Sequence, residues 1–343
     1  MHVTLIVPSP FSTVSGGYGY DRRIVSELRG RGHDVAVVEL PGLHPVTDAV
    51  ARDSACIALD RLVPGTKTVI DGLALPAFAG LDDALASMGA IGLIHHPTSL
   101  EHGLDEAIQA RLLGTEQRLF PRLRRIVVTS RLTAETLTRD FGVDAGRIEV
   151  VNPGTDEASR AAGSGGPTCQ ILSIGTLIPR KGHDLLLRSL ARLFDLNWRL
   201  TIVGSETADP VCANGLHALA EELDIASRIR FAGTVVGDAL ETLWQSADVF
   251  ALATHYEGYG MVIAEALKRG LPIVVTKGGA AGDLLTPEGG LACPPNDRDQ
   301  LSKSLRRVIF GAELRHEIAG EAWKLGQALP SWADQASLFE GAL

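Results

Sequence analysis

Short apolar runs alternate with amphipathic segments along most of this chain. In the first half, runs such as Val3–Val7 and Ile126–Thr129 have the length and the β-branched residues of buried strands. Segments between them, such as Tyr20–Arg31 and Leu132–Phe141, repeat apolar residues at the three- and four-residue spacing of one helix face. Strands and helices that alternate in this way predict βα units around a parallel sheet, which is an α/β fold.

The alternation stops and then resumes, which predicts a second domain. Asn152–Pro167 is rich in Gly, Ser and Ala and has no apolar period, as is typical of an interdomain linker. We therefore predict a first domain over residues 1–157, a linker over 158–168 and a second domain over 169–327. The further predicted strands are Asp34–Glu39, Thr68–Ile70, Ala90–Ile94, Ile148–Val151, Gln170–Ile174, Arg199–Val203, Ile229–Ala232, Val249–Leu252 and Pro272–Val275. The further predicted helices are Leu104–Phe120, Asp184–Phe194, Cys212–Leu223, Ala239–Ser246, Met261–Arg269 and Arg298–Phe310.

Composition and charge narrow the class of protein. The 343 residues include 32 Lys and Arg against 41 Asp and Glu, a formal charge of −9, which argues against general nucleic-acid binding. No apolar stretch approaches the roughly 20 residues of a membrane span, and the N-terminus lacks the basic start of a secretory signal. Four widely separated cysteines disfavour a disulfide framework or a zinc site and favour a reducing cytoplasm. Peripheral contact with the inner face of a membrane stays open, because docking needs only a surface patch.

Ligands of doubly wound sheets bind at the loops that lead from strand ends into helices. After the first predicted strand, Gly16 and Gly17 bare the backbone ahead of a helix N-terminus, which suits a phosphate as well as a plain turn. After a later strand, His95 and His96 precede Pro97, and either histidine can orient a substrate or simply close the loop. Because adjacent strand residues point in opposite directions, only one of the two histidines is expected to face a ligand.

Two stretches of the second half combine glycine with charge. Gly175–Gly182 places Arg180 and Lys181 beside a helix start, which suits a diphosphate, although a solvated surface pair has the same sequence. Farther along, Glu257 lies in a loop, and Glu265 lies eight positions later in a predicted helix. A carboxylate accepts two hydroxyl hydrogen bonds, so the pair can hold a polyol at two places. Glu265 is flanked by apolar residues, where an unused carboxylate would be costly.

The segment Glu257–Glu265 resembles the E-x7-E motif of retaining glycosyltransferases, specifically glycosyltransferase family 4. Other segments, spread over nearly the whole chain, resemble the same family; they are Leu28–Val35, Val151–Asp156, Ala247–Phe250, Gly270–Val274, Gly278–Gly279 and Gly290–Asp297. The resemblance implies the GT-B fold, with two Rossmann-like, doubly wound parallel-sheet domains facing across a cleft. The donor is implied to bind the second domain and the acceptor the first. Residues 328–343 resemble the family's last helix, which packs back on the first domain; the alternative is a simple capping helix of the second domain.

The resemblance also implies roles for single residues. Lys181 would hold the donor diphosphate, Glu257 the hydroxyls of the transferred sugar, and Glu265 the ribose. One of His95 and His96 would lie beside the reacting sugar, and we favour His95 because it directly follows the apolar strand. The implied catalytic set is His95, His96, Lys181 and Glu257. The implied donor contacts are Gly16, Gly17, Gly175, Arg180, Lys181, Val235, Glu257, Gly258, Tyr259, Gly260, Met261, Val262 and Glu265.

The sequence departs from the family pattern at one position of the loop that is implied to bind the diphosphate. Thr176 stands where family members often carry Arg, and Arg180 is the candidate to supply that cation. Acceptor contacts are expected from variable loops of the first domain, at Leu43–Ala55, Gly72–Gly80 and Pro97–Asp105.

The expected activity is metal-independent transfer of a sugar, such as a hexose, from a nucleotide-sugar to a glycan, a lipid-linked acceptor or a small molecule. Fixed cations and a helix N-terminus would stabilise the leaving diphosphate, so neither a metal nor another cofactor is expected. The alternatives are another GT-B enzyme, such as a nucleotide-sugar 2-epimerase, or a non-catalytic protein that binds nucleotide-sugars or glycans. A dinucleotide dehydrogenase is disfavoured, because no G-x-G-x-x-G follows the first strand.

Overall fold

The computed structural model describes residues 1–343 and divides them into two compact units. Unit 1 comprises Met1–Gly154 together with Pro330–Leu343, and unit 2 comprises Thr155–Leu329. Each unit contains its own sheet of six strands, and every strand pair in both sheets is parallel. The predicted α/β class is therefore confirmed for each unit.

Unit 1 has the strand order β2-β1-β3-β4-β5-β6. Its strands are β1 (His2–Pro8), β2 (Asp34–Leu40), β3 (Lys67–Asp71), β4 (Ile91–Ile94), β5 (Arg125–Val128) and β6 (Ile148–Val150). Its helices are α1 (Gly16–Gly30), α2 (Ala49–Asp60), α3 (Asp82–Met88), α4 (Glu106–Leu119), α5 (Arg131–Phe141) and, near the C-terminus, α12 (Trp332–Ala342). After β1, the chain adds β2 on one side of it and then adds β3 to β6 on the other side. The direction of winding therefore reverses between β1 and β3.

Unit 2 has the strand order β12-β11-β10-β7-β8-β9, the doubly wound order in which the winding reverses between β7 and β10. Its strands are β7 (Cys169–Ile174), β8 (Trp198–Val203), β9 (Ile229–Phe231), β10 (Val249–Leu252), β11 (Ile273–Thr276) and β12 (Leu291–Cys293). Its helices are α6 (His183–Leu190), α7 (Pro210–Glu222), α8 (Gly237–Ser246), α9 (Met261–Lys268), α10 (Arg298–Phe310) and α11 (Ala312–Gln327). No helix of the chain has both the length and the apolar character that crossing a bilayer requires.

Two of the predicted acceptor loops, both located between β2 and β4, contain helical segments. Half of the predicted loop Leu43–Ala55 belongs to α2, which Asp48 caps by accepting a 2.8 Å hydrogen bond from the Ala51 N–H. The buried face of α2 consists of alanines, which leave little apolar periodicity to detect. The predicted loop Gly72–Gly80 contains a buried 3₁₀ turn, Leu75–Phe78, whose side chains join the core.

The segment that composition assigns to a linker is attached to unit 2. The division between the units falls after Gly154 rather than at 157, and residues 155–168 belong to unit 2. The Asp248 carboxylate accepts hydrogen bonds from the backbone N–H and the hydroxyl of Ser164, and the Ala161 N–H donates to the Arg269 carbonyl. Glycine and serine permit this irregular path, and backbone and carboxylate hydrogen bonds hold it in place.

Candidate active site

The reversal point of the unit 2 sheet brings two glycine-containing loops together. β7 and β10 are neighbours, so the loop after β7 and the loop after β10 leave the same edge of the sheet side by side. The first loop carries Gly175, Arg180 and Lys181, and the second carries Glu257. In open α/β sheets this is the place where ligands bind.

The first loop reaches its shape through Gly182. This residue has φ +62°, and a Cβ built on it would lie 2.0 Å from the Ala253 carbonyl oxygen, so only glycine fits. The next residue, His183, is buried with Nε2 3.1 Å from the Gly175 carbonyl oxygen, which ties the start of α6 to the end of β7. Burial is the main cause that lowers the pKa of His183, to about 4, so its ring is neutral at neutral pH.

Lys181 crosses Gly175 and reaches Glu257. A Cβ on Gly175 would lie 3.1 Å from Cδ of Lys181, so the missing side chain makes room for the aliphatic stem of the lysine. Lys181 Nζ donates a 2.7 Å hydrogen bond to Glu257 Oε1, and the Thr254 hydroxyl lies 3.1 Å from the same oxygen. Lys181 and Glu257 keep only 13% and 8% of their side-chain surface exposed, so their charges interact away from bulk water.

Arg180 also lies close to the Glu257 carboxylate. Its Nη1 atom is 3.8 Å from Glu257 Oε2 and donates a 2.8 Å hydrogen bond to the Tyr256 carbonyl. Burial alone would raise the pKa of Glu257, but the charges of Lys181 and Arg180 and the hydrogen bonds to the carboxylate lower it below its ordinary value. Arg180 thus adds a second cation at the position of this carboxylate, whereas the side chain at position 176 is a neutral threonine.

The Glu257 backbone is held by the loop after β11. Its N–H donates to the Gly278 carbonyl at 3.0 Å, and its carbonyl accepts from the Ala280 N–H at 2.8 Å. A Cβ on Gly278 would lie 2.5 Å from the His255 backbone, and one on Gly279 would lie 2.3 Å from the Glu257 carbonyl oxygen. The two glycines therefore allow close approach of the loops, which fixes the place of the Glu257 carboxylate.

The second loop ends in a helix N-terminus with free donors. Gly260 has φ +100° and caps α9, and no side chain accepts a hydrogen bond from the first turn of that helix. The backbone N–H groups of Met261 and Val262 have no hydrogen-bond partner within the chain. Donors of this kind, at the positive end of a helix, suit an anion or a sugar hydroxyl.

Glu265 lies on α9 with a carboxylate that makes no hydrogen bond. Burial raises its pKa to about 7, and the charge of Asp156 adds to the rise while Arg269 opposes it. Arg269 is itself paired with Glu241, at 2.6 Å. A partly buried carboxylate without a hydrogen-bond donor is an acceptor that a ligand hydroxyl can satisfy.

The remaining predicted donor contacts lie on the same edge of unit 2. Gly258 is partly exposed, and burial raises the pKa of Tyr259 to about 12, so its hydroxyl is neutral. Val235 lies between β9 and α8 and packs against the core beside it, whereas the next residue, Val236, is 59% exposed. The structure thus brings Lys181, Arg180 and Glu257 into direct contact and places the other predicted donor contacts of unit 2 on neighbouring loops and on α9.

In unit 1, the predicted glycine loop meets His95. Gly16 and Gly17 begin α1, which Ser15 caps by accepting a hydrogen bond from the Tyr18 N–H. A Cβ on Gly17 would lie 3.2 Å from Cδ2 of His95, so the bare backbone of the helix start packs against the imidazole. The loop and the histidine, which are far apart in sequence, therefore form one surface at the carboxyl edge of this sheet.

His95 is enclosed by two aspartates that the sequence does not single out. Its Nε2 atom lies 3.0 Å from Asp21 Oδ1 and 3.6 Å from Asp71 Oδ2. Asp21 lies on α1 and Asp71 ends β3, and both carboxylates are almost fully buried. No motif or spacing links the three positions, and only the parallel register of β1, β3 and β4 brings them together.

His96, the second predicted histidine, has a different setting. Its Nε2 atom lies 2.9 Å from Glu101 Oε2, within the predicted acceptor loop Pro97–Asp105. That loop is held by the buried Glu116, whose carboxylate accepts hydrogen bonds from the N–H groups of Thr98 and Ser99. His96 is therefore part of a surface loop, whereas His95 belongs to the edge of the sheet.

Comparison with known proteins identifies relatives of both units. The family profile described as "Glycosyl transferases group 1" matches residues 155–324, and that described as "Glycosyltransferase Family 4" matches residues 68–159. The chain is 32% identical over 170 residues to D-inositol 3-phosphate glycosyltransferase of Mycobacterium sp. (strain KMS), which is 46% of this chain and 38% of that protein. Against the enzyme of the same name from Rhodococcus opacus (strain B4), identity is 27% over 240 residues, 65% of this chain and 54% of that protein. The chain thus spans between 38% and 54% of the length of these curated relatives.

Solved structures resemble the chain over its whole length. Sucrose-phosphate synthase from Thermosynechococcus elongatus superposes with a TM-score of 0.83 at 18% identity, covering 99% of this chain and 97% of that one. The Anabaena protein HepE in complex with UDP-glucose superposes with a TM-score of 0.77 at 17% identity, covering 100% of both chains. These similarities confirm the predicted GT-B fold.

Proposed function

Because the chain belongs to glycosyltransferase family 4, we propose that it transfers a sugar from a nucleoside diphosphate sugar to a hydroxyl of an acceptor, with retention of anomeric configuration. The observation that carries this proposal is the contact of Lys181 with Glu257 at the reversal point of the unit 2 sheet, 2.7 Å apart. A cation for the diphosphate and an acceptor for sugar hydroxyls lie there side by side. The match to HepE, whose structure contains UDP-glucose, supports a nucleotide-sugar as the donor.

Charge decides the proposed roles. When the bond between the anomeric carbon and the phosphate oxygen breaks, the electron pair stays on the diphosphate and positive charge develops on the sugar. Lys181, Arg180 and the free N–H groups at the start of α9 stabilise the departing anion. The acceptor oxygen then forms a bond to the anomeric carbon on the same face, and its proton passes to the leaving phosphate.

The two glutamates are proposed to recognise the neutral parts of the donor. Glu257 is held ionised by its cations and would accept hydrogen bonds from hydroxyls of the transferred sugar. Glu265 has no hydrogen-bond partner of its own and would accept from the ribose hydroxyls. We further propose that no metal or other cofactor takes part, because the cations at the diphosphate are side chains.

A binding screen followed by product analysis tests the proposal. Nucleoside diphosphates and their sugars, beginning with UDP and UDP-glucose, are titrated calorimetrically in the presence of EDTA. With the donor that binds, the anomeric configuration of the product is read by NMR. Because the curated relatives are named as D-inositol 3-phosphate glycosyltransferases, a polyol phosphate belongs in the acceptor panel beside glycans and lipid-linked acceptors. Retention without metal supports the proposal; inversion, dependence on a divalent cation, or binding without any turnover contradicts it.

The cysteines support a cytoplasmic site of action. All four are free, and Cys56 is exposed. An exposed thiol without a partner suits a reducing compartment better than an oxidising one.

A further inference from the structure

We propose that Asp21 and Asp71 are positioning residues that orient His95 and keep its imidazole protonated, so that His95 offers a charged N–H donor to bound substrate. Neither aspartate carries a motif, and neither belongs to the loops assigned to the donor. The substrate contact rests on the proposed function, whereas the orientation and charge of His95 rest on unit 1 alone.

Asp21 fixes which edge of the imidazole is available. Its Oδ1 atom lies 3.0 Å from His95 Nε2, and Asp21 is only 1% exposed, so this contact forms away from water. With Nε2 directed at a carboxylate, Nε2 carries the proton that is donated to it. The opposite nitrogen, Nδ1, makes no hydrogen bond to the protein and is not among the buried polar atoms, so it is the atom left for a ligand.

Packing holds the ring in this orientation. The Gly17 backbone lies against the Cδ2 edge of the ring, and the Tyr20 ring meets it edge to face with centroids 5.3 Å apart. Tyr20 is fully buried and donates a 3.0 Å hydrogen bond to the Val151 carbonyl, so it is itself fixed. The imidazole therefore has little freedom to rotate away from Asp21.

Asp71 supplies the second negative group. Its Oδ1 atom accepts a 2.8 Å hydrogen bond from the Leu73 N–H, which leaves Oδ2 directed at His95, 3.6 Å from Nε2. One polar atom from each of Asp21, Asp71 and His95 lies within 4.8 Å of the others. Two carboxylates on one imidazole favour its charged form, because an ionised carboxylate in an apolar setting requires a compensating charge.

The two carboxylates that face His95 both favour its charged form. Burial alone would lower the pKa of His95, but the charges of Asp21 and Asp71 raise it. Burial and the charge of Asp21 raise the pKa of Asp71 to about 7, despite the opposing effect of His95. The other titratable groups beside this cluster are Tyr18 and Tyr20, whose pKa values are raised by burial and by the nearby aspartates, so both stay neutral. In addition, Asp21 Oδ2 is buried without a hydrogen-bond partner, so the imidazolium is the main compensation for this carboxylate.

Histidine NMR tests the inference without substrate. The ring nitrogens of His95 are followed against pH in the full-length protein and in D21N and D71N, both nearly isosteric. We expect His95 to be protonated at neutral pH in the native protein, and its pKa to fall by about one unit or more in D21N, with a smaller fall in D71N. The control is D34N, which breaks the exposed pair of Asp34 with His2, 2.9 Å apart in the same unit, and should leave His95 unchanged. A neutral His95 in the native protein, or a pKa that neither variant moves, would overturn the inference.

A chelator distinguishes a proton from a bound cation in this cluster. The titration is repeated after dialysis against EDTA and again with added Mg²⁺ or Mn²⁺. The inference predicts the same His95 signals throughout, apart from nonspecific broadening by Mn²⁺ that D21N shows equally. A His95 spectrum that changes on chelation would overturn it, because a metal rather than a proton would then occupy Nε2.

The dependence of donor turnover on pH separates the two proposals. If the imidazolium is the active form, turnover is present below the pKa of His95 and lost above it. In D21N that loss should move to lower pH, and kcat should fall by about 10- to 100-fold at neutral pH. A pH profile that D21N leaves in place overturns the substrate contact. If no nucleotide-sugar is turned over by the native protein while the NMR result holds, the proposed function fails and the positioning of His95 stands.

Discussion

Lys181 and Glu257 form a salt bridge although 76 positions separate them in sequence: the ammonium donates a 2.7 Å hydrogen bond to the carboxylate. Both are proposed to bind the donor, one through its diphosphate and the other through its sugar. A bound diphosphate therefore competes with Glu257 for Lys181 and lies near a second negative charge. If these roles hold, the Glu257 carboxylate favours binding of the sugar and opposes binding of the diphosphate, and substitution can separate the two effects.

For E257Q we expect opposite changes in nucleotide affinity and in turnover. Removing the charge weakens the attraction of residue 257 for Lys181 and Arg180 and removes a negative charge near the diphosphate, so a nucleoside diphosphate should bind as tightly as before or up to about 10-fold more tightly. Loss of the ionised acceptor should lower donor turnover by about 100-fold. Calorimetry and initial rates measure the two effects.

The matched control for this substitution is E321Q, which breaks another Lys–Glu pair, the exposed contact of Lys324 with Glu321. It should change neither quantity. Equal losses of nucleotide binding and turnover in E257Q would mean that Glu257 supports the loop rather than the sugar.

For E265Q we expect a gain in stability that depends on pH. The pKa of Glu265 is raised to about 7, so the acid form is favoured in the folded chain and the ionised form is disfavoured. The penalty is absent below the unfolded pKa, grows as pH rises from there through about 7, and amounts to as much as about 3 kcal/mol above it. Urea unfolding should therefore show E265Q stabilised near pH 8 and equal to the native protein near pH 4.

The same variant should bind nucleosides more weakly, since a glutamine accepts fewer hydroxyl hydrogen bonds than a carboxylate. Equal stability of E265Q and the native protein at both pH values would contradict the burial of Glu265. An unchanged affinity of E265Q for nucleosides would contradict the proposal that Glu265 binds the ribose.

Gly182→Ala should unfold the first loop. The substitution places a methyl group at φ +62° and 2.0 Å from the Ala253 carbonyl oxygen, so we expect a loss of about 3 kcal/mol or more in the free energy of unfolding. Gly215→Ala is the control, because Gly215 lies within α7 with open space around its Cβ position, and alanine there should stabilise by up to about 1 kcal/mol. Equal stability of the two variants would contradict the close packing of Gly182 against the Ala253 carbonyl.

Features that depend on local pattern could be predicted from the sequence. The alternation of strands and helices predicted the parallel sheets. Lys181 and Glu257 stood out because they are charged residues in glycine-containing loops after strands, and Glu265 because it is a charged residue in an apolar helical segment. The α2 helix was missed because its buried face consists of alanines, which give no strong apolar period. The attachment of residues 155–168 to unit 2 was missed because hydrogen bonds to Asp248 and Arg269, rather than apolar contacts, hold that segment.

Asp21 and Asp71 could not be found in this way. One lies within a helix and the other at the end of a strand, and neither position is unusual for an aspartate in sequence. Their relation to His95 comes from the order of β1, β3 and β4 in the sheet, which brings the first turns of α1 and the ends of β3 and β4 to one edge. Side chains that the strand order brings together have no fixed spacing in the sequence, so their cluster can be recognised only from the structure.

The most direct test of the account is the rate of nucleoside diphosphate release from a nucleotide-sugar by the native protein and by K181M, with K324M as the control for loss of a paired lysine. Methionine keeps the length of the side chain and removes the charge that is proposed to stabilise the departing diphosphate. We expect release from at least one nucleotide-sugar by the native protein and by K324M, and a rate at least about 100-fold lower in K181M. Equal rates in K181M and the native protein, or no release by the native protein from any nucleotide-sugar, would contradict the account.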